Sequence, residues 1–308
     1  MPGDTEPTTH QIELTMPYQA SDGRLITLRA LRFGDATQNP PVLLHHANGM
    51  CAAMWAPVAR QLTDLFTVYA LDARGHGDSD HLQVPHDYPW SAFVDDLATA
   101  GQQLLEWHGG ESFVAGIGSS FGGIVTAAAQ AAHGGLFEQV FMFDPPIHNS
   151  PDLVEALGLP LPTHSTDDRA ELVARTLKRR VTWPSREAAV EAWRNKPLFA
   201  PWTEEAFHLY VNQGMRELDG QVTLKCPVEV EAHIFETTGA LSILDYAPKV
   251  SVPVQFVHAN KGFFDGTLFR GLAGLFPDGH FSELPAGHML PFEVPDQVAA
   301  FIRQHAAQ

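Results

Sequence analysis

The run Gly116-Ile117-Gly118-Ser119-Ser120-Phe121-Gly122-Gly123 constrains the fold more than any other stretch of the chain. It follows a strand-like apolar segment at 113–117 and opens a helical one at 122–132, so the backbone must pass from extended to helical almost at once. A turn that tight forces its apex residue into a strained conformation. It also needs flanking glycines, because a Cβ there would strike the adjoining strand or helix. Gly118-Ser119-Ser120-Phe121-Gly122 matches Gly-x-Ser-x-Gly, with Ser120 at the apex and its hydroxyl projecting clear of the strand. Ser119 cannot take that place, since residue 117 is Ile rather than Gly. The helix start behind Ser120 presents the N–H of Phe121 where negative charge on a bound oxygen would be stabilised. A dinucleotide-binding turn, with Asp144 as ribose ligand, is the rival reading. It fails because Phe121 stands where the third glycine of that fingerprint belongs.

The rest of the chain sets this junction in a repeating frame. Segments 12–18 and 25–33 alternate apolar and polar residues around Ser21-Asp22-Gly23-Arg24, which predicts a hairpin. Short apolar runs at 42–45, 66–71, 113–117, 140–143 and 254–257 read as strands, separated by helical stretches at 52–62, 90–107 and 122–132. Such alternation predicts an α/β architecture: a mostly parallel sheet with helices on both faces and ligand sites at the carboxyl ends of the strands. Residues 147–236 break the pattern, carrying charged helical stretches at 167–180, 185–194 and 203–216 and no convincing core strand. The segment is too long for a structureless loop. The expected organisation is therefore a core formed by 1–146 and 237–308, with 147–236 as an inserted helical cap.

Composition narrows the function classes. Nineteen Lys and Arg against 36 Asp and Glu give a net charge of −17, a field that repels phosphate backbones and anionic lipid surfaces. No apolar stretch is long enough to span a bilayer, and residues 1–17 lack a basic-then-apolar signal. Two cysteines, Cys51 and Cys226, make no disulfide framework. These features predict a soluble cytoplasmic protein that acts on a small molecule, with no nucleic-acid or membrane partner. Assembly with further copies of itself is compatible with this reading.

Two further stretches belong with Ser120. Leu284-Pro285-Ala286-Gly287-His288 follows a short strand at 280–284 and precedes a helix at 295–305, which puts His288 in a loop at the carboxyl edge. An imidazole there can serve a serine as general base. His45-His46-Ala47-Asn48-Gly49-Met50 ends the first parallel strand, and the backbone of Asn48 can supply a second N–H beside that of Phe121. His45 and His46 point to opposite faces of an extended segment, so they read as packing residues rather than metal ligands.

Together with Leu71-Asp72-Ala73-Arg74-Gly75-His76-Gly77-Asp78-Ser79, these elements resemble the α/β-hydrolase superfamily from about residue 12 to 303. The resemblance implies the α/β-hydrolase fold, no cofactor and no metal, and a catalytic triad of Ser120, an acid and His288. The Asp72–Arg74 stretch is architectural in that family. Trp183-Pro184-Ser185-Arg186-Glu187, Lys196-Pro197 and Lys225-Cys226-Pro227 resemble the cap of bacterial esterase-like and lactonase-like members, among them enzymes that open the macrocyclic lactone zearalenone. Relatives usually carry the acid after a later strand, where this chain has Gly262 in His258-Ala259-Asn260-Lys261-Gly262. Two replacements are open: Asp144, in Phe143-Asp144-Pro145-Pro146, and Asp265, which is also a good helix N-cap. The need for a carboxylate to reach the far imidazole nitrogen favours Asp144.

The expectation is hydrolysis of a carboxylic ester or lactone, with an apolar or aromatic acyl part against Met50, Trp183, Trp202 and Tyr210. A ligand receptor on the same scaffold and a carbon–carbon bond hydrolase are the alternatives. Haloalkane and epoxide chemistries are disfavoured, because they use a carboxylate nucleophile.

Overall fold

In the computed structural model, which describes residues 8–35, 37–147, 150–159 and 169–306, the chain begins as a hairpin. Strands β1 (Thr9–Gln19) and β2 (Leu25–Phe33) pair antiparallel, Leu14 opposite Leu28. Then follow β3 (Pro41–His45), β4 (Thr67–Asp72), β5 (Ala115–Ser119) and β6 (Val140–Phe143). After the segment that interrupts the alternation, β10 (Val254–Ala259) and β11 (Gly279–Leu284) complete one eight-stranded sheet. Its order is β1-β2-β4-β3-β5-β6-β10-β11. β2 joins β4 antiparallel, and every pairing from β4 to β11 is parallel.

Parallel strands need crossovers, and the crossovers bury both faces of the sheet. β3, β4, β5, β6 and β10 are accordingly buried along their whole length. Alternate residues feed two separate cores. Leu43, Tyr69, Leu71 and Phe256 face one, which also takes up Phe93 and Leu97 of helix Trp90–His108 and Ile124 and Val125 of helix Phe121–His133. Val42, Leu44, Val68 and Val257 face the other, covered by Val298 and Ile302 of helix Pro295–Ala306.

Several local expectations shift. The strand expected at 113–117 starts at Ala115, because Phe113 only bridges Phe137 at the sheet margin. The helix expected over 52–62 divides into a 3₁₀ turn, Ala52–Trp55, and one α-turn, Ala56–Ala59. Pro57, which has no N–H to donate, fits only a first helical turn, so a new helix starts there.

The interrupting segment is not purely helical. Helices Arg169–Leu177, Arg186–Trp193, Glu204–Gln213 and Val228–Glu236 accompany a separate antiparallel sheet of β7 (Thr182–Trp183), β8 (Met215–Leu218) and β9 (Gln221–Leu224), ordered β7-β9-β8. The expected helix at 203–216 ends at Gln213, and its last residues begin β8 instead. The helical stretch expected from 167 has its first two residues outside the described residues. The aromatic side chains of this segment form a third core with Ala47, Met50 and Cys51, beyond the end of β3. Cys51 and Cys226 are both buried and unbridged. No helix among the described residues is long and apolar enough to cross a membrane.

Candidate active site

Strand register explains which residues can meet. His45 lies opposite Gly118, Ser119 and Val257 each lie opposite Phe143, and Ala259 lies opposite Leu284. The carboxyl ends of β3, β5, β6, β10 and β11 therefore form one rim; His46, Ser120, Asp144 and Asn260 directly follow the first four, and His288 lies a short loop beyond the fifth. Ser120 follows β5 with φ 53° and ψ −122°, and Phe121 opens the next helix. Two glycines make that turn sterically feasible. A Cβ on Gly118 would lie 2.2 Å from the carbonyl oxygen of Gly122, and one on Gly122 would lie 2.4 Å from that of His45. Ser119 points inward, with its hydroxyl buried and without a hydrogen-bond partner.

Three side chains converge beyond this turn. Oγ of Ser120 is 3.0 Å from Nε2 of His288, and Nδ1 of His288 is 2.7 Å from Oδ2 of Asp144. The carboxylate is an acceptor, so the His288 proton sits on Nδ1, and Nε2 is left to accept from the serine hydroxyl. Asp144 is fully buried with φ 46°, and its N–H donates to the carbonyl of Val257. Its Oδ1 accepts the N–H of Ala259 at 2.9 Å and faces Nδ1 of His258 at 3.3 Å. Asp265 is engaged elsewhere. Its carboxylate caps helix Gly266–Ala273 by accepting the N–H groups of Thr267 and Leu268, which hold it below the ordinary carboxylate range.

Sequence reasoning passed over two parts of this arrangement. Glu293 clamps the loop around His288 from both sides, accepting the N–H of Gly287 at 2.7 Å and that of Met289 at 3.3 Å. The only hint was an acidic residue shortly after the Gly-His pair. In the sequence His258 is only part of a strand end, because only the fold brings β10 beside Asp144. On the outer side of His288, Phe263 is 74% exposed with its ring centroid 5.2 Å from the imidazole.

The turn after β3 lies alongside. The N–H of Met50 donates to the carbonyl of Ala47, which bends the backbone at Asn48. The Asn48 side-chain amide donates to the carbonyl of Glu231 at 3.0 Å, tying the turn to helix Val228–Glu236. The Glu231 carboxylate, paired with Arg179, closes the space beside Gly49. Behind the turn, burial lowers His45 to about 3 and His46 to about 4, and it also drives His76 well below its ordinary value. Nε2 of His46 accepts the Ala73 N–H at 3.0 Å, so the neutral ring carries its proton on Nδ1, facing the carbonyl of Ala47. Asp72 and Arg74 are held in place by their own contacts: Asp72 accepts the N–H groups of Ala52 and Asp78, and Arg74 grips Asp96 with two nitrogens.

Met50, Trp183, Trp202 and Tyr210 share the third core. Trp202 packs 4.8 Å from Phe292, and the N–H of Thr203 donates to the Phe292 carbonyl, which joins this aromatic group to the loop that carries His288. The indole N–H groups of Trp183 and Trp202 are buried without partners. Among the described residues no group of three or more His, Cys, Asp or Glu side chains could hold a metal ion.

No curated protein sequence matches the chain. Solved structures do. E-2-(acetamidomethylene)succinate hydrolase superposes with a TM-score of 0.76 at 20% identity, over 97% of this chain and 100% of that one. A peroxisomal alpha-beta-hydrolase of Saccharomyces cerevisiae gives 0.77 at 15% identity, over 98% and 89%. A thermophilic esterase of Thermogutta terrifontis gives 0.63 at 22% identity, over 95% and 97%. At these identities the likeness speaks for the fold. The sequence profile described as "Alpha/beta hydrolase family" matches residues 42–301, most of the chain and the whole of the parallel sheet, and the chain therefore belongs to that family.

Proposed function

We propose that this chain is a serine hydrolase that cleaves a carboxylic ester or lactone through an acyl-enzyme on Ser120. The observation that carries the reading is the unbroken line from Asp144 through His288 to Ser120, with contacts of 2.7 and 3.0 Å. In this mechanism His288 takes the Ser120 proton as Oγ attacks the carbonyl carbon. The N–H groups of Phe121 and Asn48 hold the oxyanion, and buried Asp144 stabilises the imidazolium. His288 then returns the proton to the departing alkoxide. A water molecule, deprotonated by the same imidazole, releases the acid and restores Ser120. In a lactone the leaving oxygen stays tethered to the acyl chain as a hydroxyl, and the second step releases a single hydroxy acid.

On this reading residues 1–146 and 237–308 form the catalytic core, and 147–236 cover it as a cap. Met50, Trp183, Trp202 and Tyr210, packed together in the third core, are assigned the apolar contacts to the acyl group, which suits an apolar or aromatic acyl part, a macrocyclic lactone of the zearalenone kind included. The esterase among the structural neighbours is consistent with this chemistry.

The test is incubation with a fluorophosphonate followed by intact-mass measurement, then turnover of p-nitrophenyl esters and aromatic lactones. One adduct on Ser120, turnover of an ester or lactone, and loss of both in Ser120→Ala are expected. A chain that takes no adduct is not a serine hydrolase. One that takes the adduct but turns over neither substrate type fits the receptor or the carbon–carbon hydrolase better.

A further inference from the structure

His258 is the buried titratable group beside this site that the mechanism above leaves unused. It lies near the end of β10, only 3% exposed, with Nδ1 3.3 Å from Oδ1 of Asp144. We infer that His258 is a positioning residue for the hydrolysis proposed above: its Nδ1–H fixes the rotation of the Asp144 carboxylate so that Oδ2 stays aimed at His288. The inference rests on that reading of the site.

The argument starts from the carboxylate. The last torsion of an aspartate is broad and roughly two-fold, so packing alone does not hold its plane. One donor on each oxygen, the N–H of Ala259 on Oδ1 and His288 on Oδ2, leaves the carboxylate free to rock about the line between them. A second donor on Oδ1, from a different direction, removes that freedom. His258 can supply it because its own ring is fixed, with Phe269 at 4.8 Å and Phe281 stacked at 6.3 Å. The backbone adds the remaining constraint. Asp144 adopts φ 46°, and its N–H is bound to Val257, the residue before His258, so β10 fixes both the main chain and the side chain of the acid.

The polar surroundings of His258 come from every element packed on it. Asp144 faces it from the turn after β6. Glu283 is its register partner on β11, and a Cβ on Gly266 would touch both Glu283 Oε1 and His258 Nε2, at 3.2 and 3.3 Å. Asp265, at the start of helix Gly266–Ala273, lies close enough for His258 to help lower its pKa, and Arg270 of that helix lies over the Phe281 ring. His288 stands on the far side of Asp144. Carboxylates thus flank the ring, and the Nδ1–H tautomer is the one in which its contact with Oδ1 of Asp144 is a hydrogen bond.

Three variants separate aiming from filling. His258→Asn keeps an N–H donor close to the position of Nδ1. His258→Gln moves the donor outward to the position of Nε2, and His258→Leu keeps bulk without a donor. Each is followed by thermal unfolding, by the rate of Ser120 phosphonylation, and by kcat and KM for a p-nitrophenyl ester across pH. We expect His258→Leu and His258→Gln to lose roughly 10–100-fold in kcat with KM little changed, the scale of a misaimed catalytic group. His258→Asn should recover most of that loss. With only the Ala259 N–H left on Oδ1, more negative charge gathers on Oδ2 and favours the imidazolium of His288. The acid limb of the pH–rate profile should therefore move up by about half a unit or more in the Leu and Gln variants. A His258→Gln enzyme indistinguishable from His258→Asn, or a folded His258→Leu enzyme with the wild-type kcat and profile, would overturn the inference while leaving the hydrolase reading intact. A wild-type protein inert to the probe would remove both.

Discussion

A methyl group on Gly122 would stand 2.4 Å from the carbonyl oxygen of His45. Helix Phe121–His133 thus begins against the end of β3, and that approach sets the turn at Ala47–Met50 beside Ser120. Gly122→Ala must push the two apart, because the obstacle is backbone and cannot rotate away. Urea unfolding should show a loss of roughly 3 kcal/mol, with activity falling further than the remaining folded fraction explains. A variant as stable as the wild type would mean that the helix start can shift freely.

The two candidate acids predict opposite outcomes. Asp144→Asn keeps the shape but replaces an anionic acceptor, and kcat for an ester should fall by about 10³–10⁴. Asp265→Ala removes an N-cap, which should lower stability by about 1 kcal/mol and leave kcat largely intact. Steady-state kinetics beside thermal melts decide the matter. An inactive, folded Asp265→Ala enzyme with an active Asp144→Asn enzyme would move the acid to the loop after β10.

The histidines behind the turn make stability depend on pH. Burial holds His45 at about 3 and His46 at about 4, against an ordinary value of 6.5. Below 6.5 the unfolded chain takes up protons that the folded chain refuses, so the contribution is complete above that pH and is lost as pH falls. Each ring should steepen the decline by about 1.4 kcal/mol per pH unit. Urea unfolding between about pH 6 and pH 5 should show a slope reduced by that amount in His45→Leu, whatever its absolute stability. An unaltered slope would mean that the ring is protonated in the folded state.

Much of this was legible in the residues themselves. The core strands could be read because each is a short, uniformly apolar run, and the apex serine could be read because glycines bracket it. β7, β8 and β9 were not, since they have two to four residues each and expose Arg216, Glu217 and Gln221. Nothing periodic survives in strands that short. The choice between Asp144 and Asp265 stayed open because it turns on register. Only the pairing of β6 with β10 brings Ala259 and His258 onto the carboxylate of Asp144. Glu293 was hidden for the same reason, since its clamp on Gly287 and Met289 arises from a backward fold of the loop.

The place of Asp144 also bears on how this molecule could diversify. With the partner of His288 anchored on β6, the stretch from Asn260 to Asp265 supplies no link in the line to Ser120, although Phe263 leans on the imidazole from outside. Asn260, Lys261 and Phe263 can be exchanged there without touching that line, whereas Phe264 packs on His288 and Asp265 caps helix Gly266–Ala273. On the proposed reading, libraries confined to Asn260, Lys261 and Phe263 offer a way to alter the outer side of His288 while the line from Asp144 to Ser120 is kept.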